Sequence, residues 1–119
     1  MIDRVVGITI WTDNLKRLLI FYRDTLGLTP RSEHADFINF QFGEMRLNIG
    51  LHNRVTGSNS EPYRIMINLG VDDINIEHTR LMSRGVEFIR TPEQETWGGW
   101  VATFLDPDGN VLQLLQGAS

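Results

Sequence analysis

The chain runs one plan twice. In each half a short apolar strand meets an acidic or amide turn, an amphipathic helix follows and ends at Gly plus an aliphatic residue, and three further strand-like runs complete the unit. The first copy reads VVGITIW and then TDNLKRLLIFYRDTLGL; the second reads RIMINLGV and then DDINIEHTRLMSRGV. The glycines that close the two helices, Gly27 and Gly85, stand 85 − 27 = 58 residues apart. Two similar βαβββ units enclose a concave site between curved sheets, so the duplication points toward a small-molecule pocket.

Composition narrows the chemistry. At 119 residues with 41% apolar side chains the chain is expected to be a single domain, with enough apolar surface to cover one sheet face and two helices. The formal charge of −4 and the scattered basic residues argue against a nucleic-acid partner. With no cysteine, disulfides, thiolate ligation and a Cys nucleophile are excluded. No apolar run approaches the ~20 residues that span a bilayer, and MIDRVVGI lacks a signal-peptide core. A cytoplasmic location without a membrane partner is therefore expected.

Local signals place the elements. Val5 to Trp11 is rich in β-branched residues and predicts a strand; Thr12 or Asp13 is positioned to cap a helix with Leu15, Leu18, Leu19, Tyr22 and Leu26 on its packed stripe. Arg31 to His34, Phe37 to Phe42 and Met45 to Leu51 read as strands, the last two joined by a tight turn at Gly43-Glu44. Residues 52 to 62, HNRVTGSNSEP, have no apolar period and link the modules, about 1–56 and 63–119. In the second module Arg64 to Val71 predicts a strand, and Asp72 or Asp73 a helix cap. Ile74, His78, Leu81 and Met82 share the helix's packed face. Val86 to Arg90, Trp100 to Leu105 and Val111 to Leu115 supply the last strands, with DPDGN as the turn before the final one.

Three segments carry a resemblance: NLKRLLIFYRDTLGL from Asn14 to Leu28, the echo GVDDI from Gly70 to Ile74, and WVATFLDPDGNVLQLLQ from Trp100 to Gln116. They are similar to the vicinal oxygen chelate superfamily, which includes glyoxalases, bleomycin-resistance proteins and extradiol dioxygenases. The resemblance implies an α+β fold of two βαβββ modules forming a curved, incomplete eight-stranded barrel. It leaves the activity open, because one scaffold hosts many chemistries. It also implies where a metal sits in metal-dependent members: on this chain those positions fall on Gly7, Asn48, Met66 and Gln113. None is a His or carboxylate, and a first-row cation requires better donors than amides, a thioether and a bare backbone. An empty metal site, with no cofactor, is expected.

With those four positions facing the concavity, strand alternation turns Thr9, Trp11, Arg46, Gly50, Arg64, Asn68, Val111 and Leu115 the same way. The opposite set, Ile8, Ile10, Leu47, Ile49, Ile65, Ile67, Leu69, Leu112 and Leu114, is uniformly aliphatic and suits the helix-facing core. The inward lining combines aromatic surface, amides, a hydroxyl and guanidinium groups without an acid, which suits a planar ligand that accepts hydrogen bonds or carries negative charge. Trp97-Gly98-Gly99-Trp100 adds two indoles around a loop able to approach a ligand, although Trp100 equally suits core or dimer contact. Among the histidines, His78 reads as packed and His34 as solvated. His52 has the parity of Asn48 and is the one speculative general base at the cavity rim, against a plain loop role. Asp106 and Asp108 read as a structural turn, since the further ligands of a calcium loop are missing.

The favoured expectation is metal-free sequestration or sensing of an aromatic or antibiotic-like molecule, in the manner of bleomycin-resistance proteins, with binding and turnover not distinguished by the sequence. The ligand-binding set is Thr9, Trp11, Arg46, Asn48, Arg64, Met66, Asn68, Trp97, Trp100 and Gln113, and a homodimer is the expected state. The rivals are a lyase, isomerase or dioxygenase, with or without a divalent metal, and an interaction module with a vestigial pocket.

Overall fold

The computed structural model describes residues 1–118. It divides at the Gly57–Ser58 junction into two compact units. The first holds β1 (Gly7–Thr12), α1 (Leu15–Leu19) continuing as a π-helical segment over Ile20–Thr25, β2 (Ser32–Glu33), β3 (Phe37–Phe42) and β4 (Met45–Leu51). The second holds a 3₁₀ turn (Pro62–Arg64), β5 (Met66–Gly70), α2 (Ile74–Ser83), β6 (Phe88–Gln94), β7 (Trp100–Leu105) and β8 (Val111–Gln116). Each unit is thus βαβββ, and the fold is α+β. The sheet orders β1-β4-β3-β2 and β5-β8-β7-β6 match, with the first and last strands of each unit parallel and the other neighbours antiparallel.

Period-2 alternation builds each core. In the first sheet Ile10, Ile38, Phe40, Leu47 and Ile49 are buried together with Leu15, Leu18, Tyr22 and Leu26 of the helix, and the Tyr22 ring lies 6.3 Å from that of Phe40. In the second, Ile67, Ala102, Phe104, Leu112 and Leu114 are buried with Ile74 and Leu81. Each fully buried aliphatic or aromatic side chain contributes about 1.5–3 kcal/mol, which outweighs the weak helix propensity of β-branched Ile20 and Ile74. His78 stacks edge-on against Phe88 with 4.5 Å between centroids, and its buried Nε2 has no hydrogen-bond partner among the described residues. That is the packed role its spacing predicts.

The helix ends follow local chemistry. Asp73 Oδ1 accepts from the N–H groups of Asn75 and Ile76 at 3.1 and 3.2 Å, so Asp73 is the cap of α2. At the other end Val86 N–H bonds to Leu81 O and Gly85 N–H to Met82 O, with Gly85 at φ +88°, the pattern of a Schellman motif. The first helix is capped one residue later than the sequence suggested. Thr12 Oγ1 accepts from Asn14 N–H at 3.0 Å to shape the turn, and Asn14 Oδ1 caps Arg17 N–H at 3.1 Å. Asp13 instead receives Gly57 N–H at 2.8 Å and ties the linker to its own unit. The π-helical segment, where Leu26 N–H reaches Phe21 O, widens the turn so that Leu18, Tyr22 and Leu26, each four residues on, stay on the sheet while Leu19 is only partly covered.

Several boundaries differ from expectation. β1 begins at Gly7 and leaves Val5 and Val6 exposed outside it, while β6 runs on to Gln94 through two register shifts. β5 begins at Met66, because Pro62 fixes a 3₁₀ turn that takes up Tyr63 and Arg64; Ile65 consequently falls outside the strand and is 74% exposed instead of joining the core. Met82 is exposed rather than packed, since the face defined by Ile74, His78 and Leu81 already fills the contact with the sheet. Val111, expected on the open face, is buried.

The DPDGN turn is built around one carboxylate. Buried Asp106 accepts through Oδ1 from the N–H groups of Asp108 and Asn110, and through Oδ2 from Asn110 Nδ2, all at 2.9 Å. Asn59 joins it, donating its N–H to Asp108 O at 2.7 Å and its amide to Asn110 Oδ1 at 3.0 Å. Bonds to a charged acceptor contribute roughly 1.5–3 kcal/mol each, with non-additivity, so Asp106→Ala is expected to destabilise by about 3 kcal/mol and Asp73→Ala, a lost cap, by about 1 kcal/mol. Urea unfolding followed by far-UV circular dichroism checks both, and the order of the two losses is the decisive feature.

Candidate functional site

The face of each sheet opposite its helix carries the polar residues, and strand register groups them into rows. In the first sheet Thr9 pairs with Asn48 and Asn48 with Asn39, which pairs in turn with Ser32. In the second, Asn68 pairs with Gln113 and Gln113 with Thr103. Both rows are bonded across strands: Asn39 Nδ2 donates to Asn48 Oδ1 at 2.6 Å, and Gln113 Nε2 donates to Asn68 Oδ1 at 2.9 Å. The duplicated plan therefore preserves a hydroxyl-and-amide band on the middle of each sheet. Asn39 and Thr103 are buried members of these bands that strand parity across the Gly43-Glu44 hairpin and the DPDGN turn could have supplied.

On either side of the first band the face changes character. Toward one end Trp11, Gly50 and Phe37 share a row. A Cβ at Gly50 would stand 2.9 Å from a Trp11 ring carbon and 3.4 Å from Phe37, so the glycine leaves room for both rings. The His52 ring meets the Trp11 indole edge-on at 5.1 Å, and Trp11 remains 46% exposed. Toward the other end lie Gly7, Arg46 and Gln41. A Cβ at Gly7 would come within 3.0 Å of Arg46 O and 3.4 Å of Arg46 Cβ.

The remaining sequence-predicted residues separate. Met66 is exposed at the start of β5, paired with buried Val111. Arg64 sits in the 3₁₀ turn, exposed and 3.3 Å from Glu61, so strand parity does not govern its direction. Trp97 is 55% exposed; its ring lies across Gly99, where a Cβ would collide at 1.9 Å, and Gly98 at φ +100° makes the turn that Glu95 O closes by accepting Gly98 N–H. Trp100 is partly buried at the start of β7. His52 Nδ1 accepts the Arg54 N–H at 3.0 Å, which ties the ring to its own loop.

The donor set does not fit a first-row divalent cation. Register places Gly7 beside Arg46 and Thr9 beside Asn48, Met66 beside Val111 and Asn68 beside Gln113. Whichever pair is taken, neither imidazole nor carboxylate is present, the Asn48 carbonyl is already hydrogen-bonded, and Arg46 adds positive charge. Among the described residues no group of three or more His, Asp or Glu side chains is arranged to hold a metal. A surface depression of about 400 Å³ lined by Gly70, Val71, Asp72, Asp73, Ile76 and Glu77 has carboxylates, but Asp73 there is spent on capping α2.

Comparison with known proteins agrees with this architecture. The model of the Glyoxalase/Bleomycin resistance protein/Dioxygenase superfamily matches residues 2–114, and the chain belongs to that superfamily. The uncharacterised protein YetH of Bacillus subtilis (strain 168) is 23% identical, covering 96% of this chain and 98% of the relative. A glyoxalase/bleomycin resistance protein/dioxygenase from Nocardioides superposes with TM-score 0.81 at 20% identity, covering 98% of this chain and 84% of that one. A lactoylglutathione lyase from Agrobacterium tumefaciens superposes with TM-score 0.77 at 17% identity, covering 97% and 94%. At these identities the likeness is one of fold. No helix among the described residues is long and apolar enough to cross a membrane.

If Gly50 exists to seat the Trp11 indole, Gly50→Ala must push the ring out. We expect a changed near-UV circular dichroism spectrum and a destabilisation of about 1–3 kcal/mol from overpacking, measured by urea unfolding. An unaltered near-UV spectrum would refute the contact.

Proposed function

We propose that the protein is a metal-independent binder of a small aromatic or antibiotic-like molecule, acting by sequestration or sensing without turnover, and that it works as a homodimer in the cytoplasm. The observation that carries this is the chemistry of the polar sheet faces. They offer two amide-and-hydroxyl bands, an exposed indole and a guanidinium, and the residues that the sequence resemblance assigns to metal positions, Gly7, Asn48, Met66 and Gln113, include no imidazole or carboxylate. Such a surface recognises a ligand by stacking and hydrogen bonding and has no group suited to proton abstraction. Trp11, Thr9, Asn48, Asn68, Gln113, Met66 and Arg46 are the residues proposed to contact the ligand, with Trp97 and Trp100 as further stacking surface.

Dimerisation is supported by the strand edges. β1 and β5 are edge strands in their sheets, and Val5, Val6, Ile65 and Met66 at their starts are exposed. An edge flanked by aliphatic side chains is the kind of surface that a second chain covers.

Two measurements test the proposal. Thermal denaturation with Mn, Ni, Zn or Fe(II) is expected to leave Tm unchanged, whereas a panel of aromatic compounds contains at least one that raises it, because a ligand of the folded state stabilises by RT ln(1 + [L]/Kd). Near-stoichiometric metal in protein purified without chelator, found by inductively coupled plasma analysis, would overturn metal independence and favour a lyase like the Agrobacterium neighbour. Light scattering at micromolar concentration is expected to give twice the chain mass.

A further inference from the structure

We infer that the open face of the first sheet selects an elongated aromatic compound bearing an anionic group, with Trp11 as the stacking platform and Arg46 as the anion anchor. The inference rests on the proposed binding function and names the ligand class it serves.

The face is graded along the strands. Its aromatic end is the Trp11, Gly50 and Phe37 row, its middle the Thr9, Asn48 and Asn39 row, and its cationic end the Gly7, Arg46 and Gln41 row. None of these positions is acidic. Arg46 is exposed and makes no ion pair or side-chain hydrogen bond among the described residues, and Gly7 beside it adds no side chain to crowd the guanidinium. Gln41 does not quench it: its oxygen accepts from Arg31 and its amide donates to Gly43 O at 2.9 Å. A free guanidinium on the same face as a half-exposed indole is suited to a planar anion, to which it presents two parallel N–H donors. In the middle row the Asn39–Asn48 bond leaves the Asn48 amide N–H groups and the Thr9 hydroxyl unspent among the described residues, so groups between the ring and the anion also meet donors.

The second sheet lacks this arrangement although its plan is the same. The cation paired with Thr103 there is Arg90, which is held by Glu93 at 3.4 Å and Glu95 at 2.9 Å. The hydrogen bonds it donates to Glu93 and then Glu95, together with their charges, hold its pKa above the ordinary value, so its charge is balanced within the protein. The row that matches Arg46 carries Met66, Val111 and Leu105 instead. Anion selectivity therefore belongs to the first unit.

Gly50, the partner of Trp11, is four residues from Arg46 along β4, about 13 Å at ~3.3 Å per residue. A ligand that uses both anchors is long and narrow.

The test compares 4-biphenylcarboxylate with its neutral isostere 4-biphenylcarboxamide by isothermal titration calorimetry. The carboxylate is expected to bind roughly tenfold more tightly, a preference that shrinks with added salt. In Arg46→Gln the two compounds are expected to bind equally, at the affinity the amide shows for the unaltered protein; Arg46→Lys is expected to restore part of the preference, which separates lost charge from lost folding. Trp11→Leu is expected to weaken both compounds while keeping their ratio. Equal affinity of the two compounds for the unaltered protein, or a preference that survives Arg46→Gln, overturns the anion anchor and leaves the binding function intact. Failure of both compounds to bind at millimolar concentration also overturns the inference, and the metal and aromatic screens judge the binding function separately.

Discussion

The parallel ladder between the first and last strands of each unit is the constraint on which the other features depend. It sets Ile10 beside Ile49 and Thr9 beside Asn48, and Ile67 beside Leu112 and Asn68 beside Gln113. Because side chains alternate, a slip of one residue would carry the isoleucines to the open face and bury the amides under a helix. The cost of hiding unpaired amides and exposing several aliphatic side chains exceeds the few kcal/mol by which a domain is stable, so register and face chemistry are specified together. The helices follow from the same ladder, since each supplies the crossover that a parallel pair requires.

Glycine shapes the aromatic surface. Trp11 lies across Gly50, and Trp97 lies across Gly99, so each indole covers a glycine backbone that a Cβ would push it from. The two contacts differ in origin: the first spans neighbouring strands of a regular sheet, whereas the second folds back within a turn set by Gly98. Only the first is accompanied by a band of amides and a free guanidinium on the same face.

Much of this was legible in the sequence wherever one residue type has one physical use. Gly27 and Gly85 marked helix ends because each takes positive φ, and β3, β4 and β7 have the predicted bounds because apolar alternation and tight turns define them. The face assignment of Thr9, Trp11, Arg46, Asn48, Asn68 and Gln113 agrees with the ladder registers. Where competing uses exist, the sequence misled. Three consecutive polar residues, Thr12, Asp13 and Asn14, can each cap a helix, and the fold gave each a different task. Pro62 opens a turn that removes Arg64 and Ile65 from a strand they otherwise suit. The bond from Arg54 N–H to His52 Nδ1 depends on loop geometry that no local pattern encodes. The buried band residues Asn39 on β3 and Thr103 on β7 are encoded only through hairpin register, opposite Asn48 and Gln113, and carry no local signal of their own.

Gly7 and Gly50 bracket the band of Thr9 and Asn48, and at both positions an added Cβ meets atoms already in place. Under the proposed binding function, adaptation to a new guest is thereby channelled. Descendants of this chain can exchange hydroxyl for amide at Thr9, or cation for neutral group at position 46, at little structural cost, whereas enlarging either glycine disturbs Trp11 or Arg46. On that reading the accessible evolutionary variation lies in polarity, and the footprint of the proposed guest is held nearly constant.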